Sequence, residues 1–202
     1  MVFLKSKLFV LFIIGILVSC QSPAIKITEP TQTETEQIKA IGDDVSARLT
    51  ISLKKELKAA IAEGGFQNAI DVCNLKAIPL TELVKESQNR NVEIKRTSYN
   101  YRNPLNAPDS IEKLALDHFA QLFREKKEVP EFFIQKITEN KESWFYYYKP
   151  IKVEQLCLGC HGQTSNIDST IVNQIAKLYP EDKAVGYAEG DFRGLISVKI
   201  RE

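Results

Sequence analysis

The sequence predicts an α+β fold in which helices come first and an antiparallel sheet is built mainly from later segments. Apolar residues recur every three or four positions through the first part of the chain, which is typical of amphipathic helices. Short alternating segments, typical of strands, lie mostly in the second half. No internal repeat is evident, and 202 residues favour one folded domain with a modest extra segment.

The first 19 residues are typical of an export signal. Lys5 and Lys7 precede an apolar run over residues 8–18, which is shorter than the roughly 20 residues of a transmembrane helix. Ser19 and Cys20 end this run in an arrangement that resembles the lipobox of bacterial lipoproteins, where the cysteine becomes lipidated. An ordinary signal peptide with a coincidental cysteine, or an uncleaved anchor, is the alternative. We expect an exported protein, lipid-anchored through Cys20 on the periplasmic side of a bacterial membrane.

Residues 20–37 are expected to form a flexible tether, because they are polar and contain several Thr, Glu and Pro residues. The folded domain is then residues 38–202. The chain has 27 basic and 26 acidic residues, and loss of Lys5 and Lys7 with the signal leaves a net charge of −1. This balance argues against a nucleic-acid partner and against a polybasic membrane patch.

Helices are predicted over most of residues 38–86. One apolar face repeats over residues 38–61, and Gly64-Gly65 is expected to end this long helix. A shorter helix should follow, with Cys73 on its inward face. Pro79 is expected to end or kink that helix and to open another over residues 80–86.

The later elements are a mixture of helices and strands. A helix should begin near Asp109, which forms a capping pair with Glu112, and His118 belongs to the apolar stripe of this helix. Segments expected to be strands are 92–95, 144–153 and 196–200, and a further short helix is expected over 167–178.

The segment Cys157-Leu158-Gly159-Cys160-His161 has the CxxCH pattern of c-type haem attachment. Two thiols three residues apart lie about one helical turn apart and can form thioethers with the two vinyl groups of one porphyrin. His161 is then the proximal iron ligand. With this composition, chance gives roughly one such match per thousand chains. One covalent haem c is therefore the expected cofactor.

The motif has two alternative interpretations. A Cys157–Cys160 disulfide is the stronger alternative, but no βαβ pattern leads into the motif as it does in thioredoxin-like proteins. A zinc site needs about four ligands, and only Cys73 and His118 remain to complete one. Haem attachment is the better interpretation of the motif in an exported protein.

The sixth iron ligand has three candidates. The single methionine is Met1, which leaves with the signal, so His/Met ligation is excluded. His118 is otherwise a core histidine, and Cys73 is otherwise a small buried hydrophobe. A free thiol outside the cytoplasm is protected when iron binds it as thiolate. The residues alone leave the choice open between Cys73, His118 and an open position.

Several separated blocks over residues 38–200 resemble the PAS-like, single c-haem domains of bacterial exported proteins and of receptor sensor modules. The blocks are AIDVCN (69–74), RTS (96–98), RNPLNAPD (102–109), KPI (149–151), CLGCHG (157–162), YPEDKA (179–184), GY (186–187) and GDFRG (190–194). Ile111 departs from the pattern, because related sequences lead us to expect an aromatic residue there.

This resemblance implies a PAS-like antiparallel sheet and a haem whose iron is bound by His161 and Cys73. It makes Arg96 and Arg102 candidates for pairing with the haem propionates, with surface salt bridges as the alternative.

The expected function is that of a redox or gas sensor module that binds NO or CO and depends on the haem maturation machinery. A low-potential electron-transfer cytochrome with a redox partner protein is the alternative, because a thiolate ligand favours ferric iron. A haem enzyme such as a peroxidase would need open iron and a distal acid–base group. No catalytic residue is therefore expected.

Overall fold

A computed structural model describes residues 25–88, 91–140 and 142–202. Five strands and four α-helices form this part of the chain: β1 (Lys26–Thr28), α1 (Gln32–Glu86), β2 (Val92–Thr97), α2 (Ser110–Arg124), β3 (Phe133–Glu139), β4 (Glu142–Lys152), α3 (Leu158–His161), α4 (Ser169–Leu178) and β5 (Phe192–Arg201). The expected signal peptide, residues 1–19, and Cys20 lie outside the described residues. Within those residues, no helix is long and apolar enough to cross a membrane.

Ordered structure begins upstream of Ile38, inside the segment expected to be a tether. Strand β1 pairs with β3, with Ile27 opposite Ile137. Helix α1 starts at Gln32 behind a capping box in which Thr31 and Glu34 exchange side-chain and backbone hydrogen bonds. Strand pairing and capping thus order residues whose polar composition alone favoured a tether.

Helix α1 consists of two segments that meet at Gly64 and Gly65. Gly65 has φ +68°, a conformation that L side chains rarely adopt, and the backbone of both glycines departs from helical geometry. The break confirms the predicted stop and lets the second segment, which carries Cys73, take a different direction. Pro79 does not end this segment. Buried residues on both sides of the proline, Ile70 and Val84, pack against the core and hold the helix through it.

All neighbouring strands of the sheet are antiparallel, in the order β1-β3-β4-β5-β2. Adjacent residues of β4 show how its two faces are used: Tyr147 packs into the core under α1, and Tyr148 packs into the core under α2. Both tyrosines are fully buried. A sheet covered by helices on both faces confirms the predicted α+β class with an antiparallel sheet.

A polar cluster joins the first segment of α1 to β4. The Asp43 carboxylate accepts hydrogen bonds from Lys39, Tyr147 and Lys149. Burial by itself raises the pKa of Asp43, but these three hydrogen bonds outweigh it and lower the pKa to about 2. Gly42 allows α1 to approach the Tyr147 ring of β4 this closely, because a Cβ at position 42 would lie 2.2 Å from the ring.

The predicted start of α2 is confirmed, but one expectation about its faces is wrong. Asp109 and Glu112 form the expected capping box. The buried side includes Glu112 and Leu116, whereas His118 is exposed and stacks on Phe133 at 4.8 Å between ring centroids. Glu112 is held inside by Lys95, at 2.8 Å, so the helix is rotated relative to its apolar stripe.

Candidate functional site

The CxxCH segment is a compact turn beside the second segment of α1. Cys157 ends a 3₁₀ turn, and Leu158–His161 form the short helix α3. Gly159 lies directly against the Phe66 ring, where a Cβ would be 2.5 Å from two ring carbons. The two cysteines of the motif are therefore presented by a turn that packs tightly on the helix carrying Cys73.

A hydrogen bond to a buried loop orients His161. Its Nδ1 lies 2.7 Å from the carbonyl oxygen of Ala184, which can only accept, so Nδ1–H donates and Nε2 is left free. Burial, together with the cations Arg102 and Arg193, lowers the pKa of His161 well below its usual value. The ring is therefore a neutral imidazole with one unprotonated nitrogen, which is the form that binds iron.

One cavity of about 330 Å³ brings most of the predicted site residues together. Cys73 reaches it from α1, and Cys157, Cys160 and His161 reach it from the attachment turn. Its lining also includes Arg96, Arg102, Tyr179 and Arg193, together with apolar side chains such as Leu53, Leu57, Phe66 and Ile70.

The three cysteines that the structure describes are free thiols, so Cys157 and Cys160 form no disulfide in it. Burial raises the pKa of Cys73, against the opposing effect of Arg96 and Arg102. Burial likewise raises the pKa of Cys160.

His118 is absent from the cavity lining. It lies on α2, against the sheet face opposite to that covered by α1. A zinc site built from the CxxC motif with Cys73 and His118 is thus not assembled, and the described residues contain no cluster of three or more His, Cys, Asp or Glu suited to a metal ion. Of the two residues that are candidates for the sixth ligand, Cys73 and His118, only Cys73 shares a cavity with His161.

The cavity is strongly cationic at one end. Arg96 comes from β2, and Arg102 from the loop after it. Arg193 comes from a β-bulge, because Ile151 pairs with Gly194 and Lys152 pairs with Phe192, which leaves Arg193 as the extra residue. Within the described part of the chain, only Arg102 among these three pairs with a carboxylate, that of Asp182 at 3.1 Å.

Two buried polar groups at this end lack protein partners among the described residues. They are Thr97 Oγ1 and Arg102 Nε. Thr97 and Arg102 both line the cavity, and the two unpartnered groups can each donate a hydrogen bond. A buried donor without an acceptor costs roughly 1–3 kcal/mol, so this end of the cavity is suited to an anionic ligand that supplies acceptors.

Sequence reasoning missed three contributors to the site. The sequence pattern gives Arg193 no role, although it lies in the GDFRG block. Both glycines of that block have positive φ angles, which mark an irregular entry into the strand. Asp182 and Ala184 lie in the YPEDKA block and support Arg102 and His161 through contacts across more than 20 residues of chain. Local patterns contain no signal for such long-range hydrogen bonds.

Fold and site define a one-sheet α+β protein with a CxxCH turn at the edge of a cationic cavity. The sequence model of the Tll0287-like family (Tll0287) matches residues 21–201, so the chain belongs to the Tll0287-like family. The crystal structure of the cyanobacterial haem protein Tll0287 has a similar fold, with a TM-score of 0.54 and 21% sequence identity over 86% of this chain and 98% of that chain. No functionally curated protein matches the sequence.

Proposed function

We propose that this protein is an exported haem-binding protein with one covalently attached c-type haem, acting as a redox or gas sensor module. Cys157 and Cys160 would form the thioethers with the porphyrin, and His161 and Cys73 would bind the iron. The main observation in favour of this proposal is that these four residues line one and the same cavity. Membership of a family whose solved relative is a haem protein supports the same proposal.

The polarity of the cavity fits a haem. A porphyrin has a broad apolar ring and two carboxylates at one edge, and the cavity has an apolar wall and a cationic end. Leu53, Leu57 and Phe66 belong to that wall. Arg96 and Arg193 lack carboxylate partners in the described part of the chain, so they are available to the propionates. When haem is bound, its iron supplies a one-electron couple and a coordination position for a diatomic gas.

His161 and Cys73 have distinct tasks in this proposal. His161 is oriented by Ala184 before any ligand arrives, so its Nε2 is already presented to the cavity. Cys73 projects from α1 on a segment whose direction is set by the break at Gly64-Gly65. The attachment turn and the second segment of α1 would therefore each supply one residue to hold the iron. A gas or a change of oxidation state that displaces Cys73 would act directly on α1.

Low-potential electron transfer to a redox partner protein is the second candidate function. It is favoured by the presence of two candidate iron ligands, His161 and Cys73, in one cavity. An iron with both positions occupied by protein ligands exchanges electrons without binding a substrate. A peroxidase-type enzyme is less favoured, since it needs a distal acid–base group and His118 lies outside the cavity. Binding of NO or CO by the ferrous protein distinguishes a sensor from a carrier.

The anchoring proposal rests on the signal-like N-terminus and on Cys20. With Cys20 lipidated, only residues 21–25 separate the lipid from β1, a length of chain that spans at most about 20 Å. The domain would then lie close to the periplasmic surface of the membrane, where the haem maturation machinery also acts.

Visible spectra of the wild type and two variants test the ligand set. We expect the ferric wild type to be six-coordinate and low-spin with thiolate character, and Cys73→Ala to abolish that spectrum. His118→Ala is the matched control and should leave the spectrum unchanged, because His118 is exposed on α2. If His118→Ala alters the spectrum and Cys73→Ala does not, the assigned ligand is wrong. A ferrous wild type that binds neither CO nor NO would favour plain electron transfer.

A further inference from the structure

One nitrogen of Arg102 connects the CxxCH segment with the loop that orients His161. Its terminal Nη2 donates to the Cys160 carbonyl at 2.6 Å, to Asp182 Oδ2 at 3.1 Å and to the Ala184 carbonyl at 3.3 Å. The Ala184 carbonyl is also the acceptor for His161 Nδ1–H. The cation and the imidazole therefore share one acceptor, which is fully buried.

We propose that Arg102 is a positioning residue that sets how strongly His161 donates electrons to a bound iron, through the Ala184 carbonyl that both contact. This inference rests on the proposed haem function and goes beyond the pairing of Arg102 with a propionate. Arg193 differs from Arg102 in this respect, since it donates instead to the Asn100 carbonyl at 2.9 Å.

The direction in which Arg102 shifts the reduction potential follows from the competition of Arg102 and His161 for the Ala184 carbonyl oxygen. A carbonyl that accepts strongly from Nδ1–H gives the imidazole partial imidazolate character, which stabilises ferric iron and lowers the reduction potential. Arg102 draws on the same lone pairs and places a positive charge beside the ring, so it weakens the Nδ1–H bond. Arg102 should therefore raise the potential of the ferric/ferrous couple.

Asp182 opposes Arg102 and makes the inference testable in both directions. Its Oδ2 accepts from Arg102, and its Oδ1 accepts from the Ala184 N–H at 2.9 Å. The carboxylate thus compensates the Arg102 charge and holds the backbone N–H of Ala184, the residue whose carbonyl His161 uses. Removing its charge while keeping its shape should leave Arg102 less compensated.

The test measures the midpoint potential of the holoprotein by spectroelectrochemical titration, alongside thermal unfolding. Arg102→Gln, which keeps donors but loses the charge, should lower the potential, and Arg102→Lys should return it toward the wild-type value. Asp182→Asn should raise it. Arg201→Gln, at the far end of β5 on an exposed pair with Glu142, is the control and should leave it unchanged.

Opposite shifts for Arg102→Gln and Asp182→Asn support the proposal, because loss of structure alone would move both variants the same way. Equal potentials in all variants, or shifts of the same sign, overturn it. If Arg102→Gln does not mature, the sign for Asp182→Asn decides. A wild type that carries no covalent haem would refute the proposed function instead, which keeps the two failures distinct.

Discussion

The contact between Phe66 and Gly159 gives a sharp test of how the attachment turn is held. A Cβ added at position 159 would lie 2.5 Å from ring carbons of Phe66, whereas carbons pack at about 3.5–4.0 Å. The ring or the turn must therefore move by about 1 Å. Such overpacking costs about 1–3 kcal/mol, and replacing a helical glycine returns at most about 1 kcal/mol. We expect Gly159→Ala to lower the free energy of unfolding by about 1–2 kcal/mol.

A double-mutant cycle isolates this contact. Phe66→Ala should cost about 2 kcal/mol, less than for a fully buried phenylalanine, because Phe66 is only partly buried. In that background the three ring atoms nearest to the added methyl are gone, so Gly159→Ala should cost much less than in the wild type. Urea unfolding of the holoproteins, followed by far-UV circular dichroism, gives the four free energies. An unfolding cost for Gly159→Ala that is the same in both backgrounds would refute the close-approach argument.

Three further outcomes are expected. Asp43→Asn should cost about 1 kcal/mol at pH 7, after discounting for solvent screening. This cost should be complete above the unfolded-state pKa of 3.8 and should be lost as the pH falls through the folded-state pKa of about 2; urea unfolding across pH measures it. Arg96→Gln should lower the melting temperature of the haem-loaded protein, because a propionate loses its cationic partner. The same substitution should raise the melting temperature of the haem-free Cys157→Ala/Cys160→Ala protein, where Arg96 is a poorly compensated cation. Equal changes of melting temperature in the two proteins would argue against propionate pairing. Cys20→Ala should release the protein from membranes into the soluble fraction, and unchanged partitioning would count against the lipid anchor.

The attachment motif and the elements around it could be predicted because their signals are local. CxxCH is a short spacing pattern, and Gly64-Gly65 marks the helix break by composition. The Asp109 capping box is also encoded within four residues. Strand β4 was recognisable from its aromatic residues. Each of these features depends on neighbours in the sequence.

The rest of the site depends on long-range packing. The spacing of His118 fits an apolar stripe and predicts an inward position. In the structure Glu112, paired with the partly exposed Lys95, occupies the buried side of α2 instead, and His118 is exposed. Arg193 points to the cavity because of a bulge in the β4–β5 pairing, which no single strand reveals. Residues 26–37 are ordered by pairing with β3 and by a helix cap, although their polar composition favours a tether.

The covalent state of the haem tests the central claim most directly. After expression with a c-type maturation system, intact-mass spectrometry of the denatured protein should show one added haem, and the denaturing gel should retain haem peroxidase staining. Cys157→Ala with Cys160→Ala should lose both signals, while Cys73→Ala should keep them, since Cys73 is proposed to bind iron and not the porphyrin. A wild-type protein with the mass of the bare polypeptide and no staining would contradict the account.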